Sequence, residues 1–188
     1  MKQTKARKLV KLSFMFGQVM NLKKIKGFSG HFWAGVSWEG KTRLFSYEKK
    51  LDSKDYCLVL ENYLRPVAER FYPTKSSKLA REWYLCHDGD GAHRSKEPQD
   101  YLETHMIREY DLPAWSPDMT IIEWCWHILW PCVAKRLPST NEELVRIAKE
   151  EWDLIPQEQI QKSILKLAED YKFIIENNGD YYRHGKNK

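Results

Sequence analysis

Apolar residues occur in short runs of strand length in the first half of the chain and at helical spacing in the second half. Phe32–Trp38 and Thr42–Tyr47 are rich in β-formers, and Glu39-Gly40-Lys41 links them tightly, which predicts a β-hairpin. Ser53 can cap a helix running to about Phe71, with Tyr56, Leu60, Tyr63, Leu64, Val67 and Phe71 on one face and a kink at Pro66. Glu82–His87 is an apolar run of strand length that ends at Asp88. Glu97–Ile107 reads as a helix with Tyr101, Leu102 and Met106 inward, and Arg108–Leu112 as a short strand closed by Pro113. From about Asp118 the pattern is helical to the end. Ile122, Trp126, Leu129, Val133 and Leu137 form one stripe. Thr140-Asn141-Glu142-Glu143 is a capping box for a helix with Leu144, Ile147, Ala148 and Trp152 inward, which Pro156 breaks. Ile160, Ile164, Leu167, Tyr171, Ile174 and Ile175 mark a last helix, stopped by Asn178-Gly179. This order predicts an α/β layout with a mixed sheet.

Composition narrows the picture. At 188 residues a single domain with a real core is the default, and 42% apolar residues exclude a disordered chain. The four cysteines show no CxxC pair and no zinc spacing, and sit in apolar runs, which points to an intracellular, reducing compartment. No apolar run is long enough to cross a membrane. Leu9–Met20 is apolar behind a basic start, but Lys11, Gly17 and Gln18 interrupt it and no small-residue cleavage site follows, so it is not read as a leader. The net charge of +5 is unevenly placed. Residues 1–30 hold seven Lys and one Arg with no acid, while the rest of the chain is net negative. The chain therefore divides into a basic N-terminal arm over residues 1–29, a domain over 30–180 and a frayed basic tail over 181–188. Such an arm can bind phosphates without sequence preference, Lys5, Arg7, Lys8, Lys23, Lys24 and Lys26 being the candidate contacts; a solvated tail is the alternative.

The candidate chemistry rests on Asp88, at the end of an apolar run, and Glu123, at the start of a helical one, with 34 residues between them. Taken singly, Asp88 is a turn or cap residue and Glu123 a solvated helix residue. Their surroundings change that. His87-Asp88-Gly89-Asp90-Gly91-Ala92-His93 and Ser116-Pro117-Asp118-Met119-Thr120-Ile121-Ile122-Glu123-Trp124-Cys125-Trp126 resemble two catalytic blocks of mariner-type transposases of the DDE superfamily. Asp88 and His93 match the Asp and His of the first block. Pro113, Ser116, Pro117, Asp118, Ile122, Glu123 and Trp126 match the second. The chain departs at His87, Gly89 and Asp90 in the first block, and at Leu112, Met119, Thr120-Ile121 and Trp124 in the second. The similarity spans about residues 30–180.

The resemblance implies a ribonuclease-H-like mixed sheet flanked by helices, with helices at the C-terminus. It implies metal-dependent DNA cleavage and strand transfer in DNA transposition. Asp88 and Glu123 would hold Mg²⁺ or Mn²⁺, supported by His93 and Asp118. DNA is the implied partner, with a homodimer as the assembly, no small-molecule substrate, no membrane, and a nuclear location. The family's third carboxylate lies on the first strand, well before the second Asp. Here the earliest acid, Glu39, falls in the hairpin turn, and Asp52 and Asp55 at a helix start. The expectation is thus an N-terminally truncated copy whose first strand is missing or replaced, inactive as an isolated chain. Two alternatives stay open: a non-catalytic nucleic-acid-binding or interaction protein on this fold, and a fragment completed by a partner that supplies the first carboxylate. A separate Zn²⁺ or Mn²⁺ site at His87, Asp88 and His93 is a further alternative.

Overall fold

The computed structural model describes residues 13–25, 28–73, 83–87, 91–110 and 120–176. Five strands form one sheet: β1 Ser13–Ile25, β2 Phe28–Val36, β3 Phe45–Tyr47, β4 Trp83–His87 and β5 Arg108–Glu109, in the order β3-β2-β1-β4-β5. β2 pairs antiparallel with both β1 and β3, whereas β4 pairs parallel with both β1 and β5. The mixed sheet is as expected, but its first strand is present. β1 lies at the centre, paired with β2 on one side and β4 on the other. The division at residue 29 fails for the same reason, since residues 13–25 are a strand of the domain and not an arm. The consecutive apolar residues Phe14-Met15-Phe16 behind Lys11 are what a central strand with a layer on each face requires; such strands do not alternate, so period alone did not identify it.

The chain crosses from β3 to β4 through α1 Ser53–Val59, one π-helical turn Leu60–Leu64 and α2 Arg65–Phe71. Asp52, not Ser53, caps α1, its carboxylate accepting from the Asp55 N–H at 2.8 Å. The widened turn sits directly before Pro66, with the Arg65 N–H donating to the Leu60 carbonyl. A proline in a regular helix clashes with the carbonyl four residues back, and the wide turn is where this helix absorbs that clash. After β4 come α3 Gly91–Arg94 and α4 Lys96–Thr104. Beyond β5 lie α5 Ile121–Lys135, α6 Asn141–Leu154 and α7 Gln157–Glu176.

Two cores result, one per sheet face. Trp33, Trp83 and Leu85 meet Tyr56, Leu60 and Leu64 of the crossover on one face. Phe32, Ala34 and Cys86 meet Ile122, Trp126 and Trp152 of the C-terminal helices on the other. The inward stripe of α6 is as expected, and its capping box forms with a shift. Thr140 accepts from the Glu143 N–H at 3.1 Å, while Glu143 reaches back to the Ser139 N–H at 2.8 Å. Met106 and Leu137 were expected to face inward and are exposed instead. Each has φ of 53°, the left-handed conformation that turns the chain out of its helix. Lys41, pushed below its ordinary pKa by burial, closes the last turn of α6 by donating to the Trp152 and Ile155 carbonyls, each at 2.6 Å.

Candidate functional site

The end of β4 is held by side chains. His87 Nε2 lies 2.6 Å from a Glu109 carboxylate oxygen and Nδ1 lies 2.7 Å from the Tyr56 hydroxyl. A carboxylate only accepts, so the neutral ring is assigned its proton on Nε2, and Nδ1 then accepts from Tyr56. Gln99 Nε2 also donates to Glu109, at 3.2 Å. The hydrogen bond from His87 holds Glu109 below the ordinary carboxylate pKa, against the opposing effect of its burial. His93, fully buried, stacks on His87 with centroids 5.0 Å apart and planes 5° apart, and packs 4.0 Å from the Tyr56 ring. This network ties α1, β4, α3, α4 and β5 together immediately before Asp88.

Asp88, Asp90 and Asp118 lie outside the described residues. Glu123 stands in the first turn of α5, half-buried, after Thr120 at the N-cap. The residues around it, Ile122 and Cys125, belong to the same buried cluster as Cys86 of β4 and Ala34 of β2. β4, which ends at His87, and α5, which carries Glu123, thus share one core. Cys86 and Cys125 are pushed up to about 12 by burial and act as small apolar residues.

The third element is β1, which reads SFMFGQVMNLKKI and contains no acid. Its parallel ladder with β4 runs from Ser13↔Trp83 to Gly17↔His87. Asp52 is used as a helix cap and Asp55 is exposed on α1, so neither lies on this strand. Two divalent ions held for phosphoryl transfer need a set of carboxylates around both. Among the described residues no three His, Cys, Asp or Glu side chains come together to hold a metal ion. With β1 contributing none, the described residues do not supply a two-ion centre. The alternative site at His87, Asp88 and His93 also lacks support, because both ring nitrogens of His87 are engaged. Of the basic candidates, Lys23 and Lys24 are on β1, while Lys5, Arg7, Lys8 and Lys26 lie outside the described residues. Sequence reasoning had no access to Tyr56, Gln99 and Glu109, whose spacing from His87 fits no local motif.

The chain is thus a five-stranded mixed sheet with a central first strand, parallel fourth and fifth strands and helices on both faces. The fold is that of the mariner-type transposase catalytic domain. The crystal structure of the catalytic domain of Mos1 mariner transposase superposes with a TM-score of 0.77 at 16% identity, over 97% of this chain and 89% of that one. The Mos1 catalytic domain with Raltegravir and Mg gives 0.76 at 17% identity, over 97% of this chain and 90% of that one. In sequence, the chain is 29% identical over 140 residues to the Tc3 transposase of Caenorhabditis elegans, covering 73% of this chain and 40% of that protein. It is 25% identical over 130 residues to the Tcb1 transposase of Caenorhabditis briggsae, covering 69% of this chain and 45% of that protein. The chain spans half or less of the length of the curated relatives it matches. No family model matches it.

Proposed function

We propose that this chain is a DDE transposase-like domain that binds DNA and, in isolation, does not cut it. Its relatives are transposases, and the chain has the fold of a transposase catalytic domain and two acids of the motifs that carry the resemblance, whose implied chemistry is metal-dependent DNA cleavage and strand transfer. The observation that carries the reading is the sequence of β1, a central strand with no carboxylate. The Mos1 catalytic domain has been solved with Mn and with Mg, which supports a divalent ion for the complete site. Mos1 is also known in paired-end and strand-transfer complexes, which supports DNA as partner and a dimeric assembly for this chain. A nuclear location follows from that partner. A partner supplying the first carboxylate on a strand of its own is the weaker reading, because β1 already stands between β2 and β4.

The test is a plasmid assay with Mg²⁺, comparing the native chain with Asp88→Ala and Glu123→Ala, alongside a gel shift across a salt series. Expected are DNA binding that weakens steeply with salt and no nicking by any of the three. Mg²⁺-dependent nicking by the native chain that either substitution removes would overturn the reading. Loss of DNA binding at low salt would favour a protein-interaction role on the same fold.

A further inference from the structure

We propose that the groove between β3 and α1 binds single-stranded DNA, with an unpaired base seated among three aromatic rings. The proposal rests on the DNA-binding reading and adds a place where DNA is held, on the opposite sheet face from α5. β3 is the outer strand of the described sheet. Beside it lies a cavity of about 500 Å³, walled by Phe45 and Tyr47 of β3, Tyr63 of the π-helical turn, and Leu51, Leu58 and Val59. Phe45 and Tyr47 stand two positions apart on one strand and so share a face. Their rings lie 5.7 Å apart and 20° from parallel, and Tyr63 packs 4.8 Å from Phe45. All three rings are half-buried. Leu58 is 59% exposed at the same cavity, an apolar surface that a ligand would cover.

Cations flank the rings. The Arg43 guanidinium carbon lies 5.8 Å from the centre of the Tyr63 ring, and exposed Lys49 lines the cavity. Arg43, Phe45, Tyr47 and Lys49 follow at every second position along the sheet edge, as cation, ring, ring, cation. Single-stranded nucleic acid is held by this combination: bases stack on aromatic rings and basic groups take the phosphates. Glu48 and Asp55 line the cavity as well and repel phosphate. The phosphates therefore stay with Arg43 and Lys49 at the rim, and the uncharged base enters. A duplex keeps its base faces stacked inside and cannot fill the cavity without unpairing.

The experiment uses the full chain and a labelled oligonucleotide of ~10 thymines, single-stranded or annealed to its complement, read by fluorescence anisotropy. Phe45→Leu and Tyr63→Leu are each expected to weaken single-strand binding about 10-fold and to leave duplex binding unchanged. Arg43→Gln is expected to weaken it less and to flatten its salt dependence. A single strand carrying 5-iodouracil is expected to crosslink to Phe45, Tyr47 or Tyr63 of the native chain on irradiation. Folded Leu variants that bind single strands as the native chain does would overturn the proposal and leave the groove to a protein partner. Crosslinks confined to other residues would overturn it too, and that measurement needs no variant to fold. A chain that binds duplex but not single strands defeats this site alone, whereas one that binds neither defeats the DNA-binding reading with it.

Discussion

β1 and β4 lie side by side and parallel, and they differ in what fixes them and in what they present. β4 ends in a histidine engaged at both nitrogens by Tyr56 and Glu109, followed by an acid of the recognised motif. β1 carries no acid, and glycine stands where it pairs with that histidine. Both are nevertheless full members of the sheet. Ladder hydrogen bonds come from the backbone, so a strand's place is insensitive to whether one of its side chains is a carboxylate or an amide. Chemistry depends on single side chains, folding on pairing and burial, and adjacent strands can carry these two demands separately.

The comparison breaks most visibly by removing β1. Deleting residues 1–28 takes away the central strand and parts β2 from β4, so the expected outcome is loss of cooperative unfolding in a thermal melt. Deleting residues 1–12 leaves every described element and is expected to leave the melt in place. A folded 1–28 deletion would mean that β1 is dispensable and that the sheet is organised otherwise.

Smaller changes sharpen the contrast. His87→Ala removes one hydrogen-bond partner from each of the Tyr56 hydroxyl and the Glu109 carboxylate, with an expected cost of about 3 kcal/mol in denaturant unfolding. Gly17→Ala, on the neighbouring strand, forces a shift of Trp33 and is expected to cost about 1–2 kcal/mol. A larger loss at Gly17 than at His87 would reverse the view of which strand end is more tightly held. Glu109→Gln is expected to have the smallest effect and the most specific one. The folded carboxylate titrates below its ordinary value, so its stabilisation is full above about pH 4.3 and is lost as pH falls through the lower folded value. The native chain should therefore exceed the variant in stability at neutral pH and approach it in acid. A gap that stays constant with pH would show that the His87 contact does not govern the Glu109 titration.

The sequence by itself determined the helices with a regular stripe, the α6 cap, the strand before Asp88 and the two motifs that carry the resemblance. Each of these is a local pattern: a period, a capping pair, or a contiguous block. Tertiary structure decided what the chain pairs across distance. β1 was hidden because a strand covered on both faces reads as a plain apolar run, here behind a basic start. The bonds from His87 to Tyr56 and Glu109 join residues far apart in the chain, which no local pattern encodes. The register that sets Gly17 against His87 exists only once the two strands pair. One residue of slip would exchange the faces of every side chain on β1, so the pairing of Gly17 with His87 is a property of the ladder and not of the sequence alone.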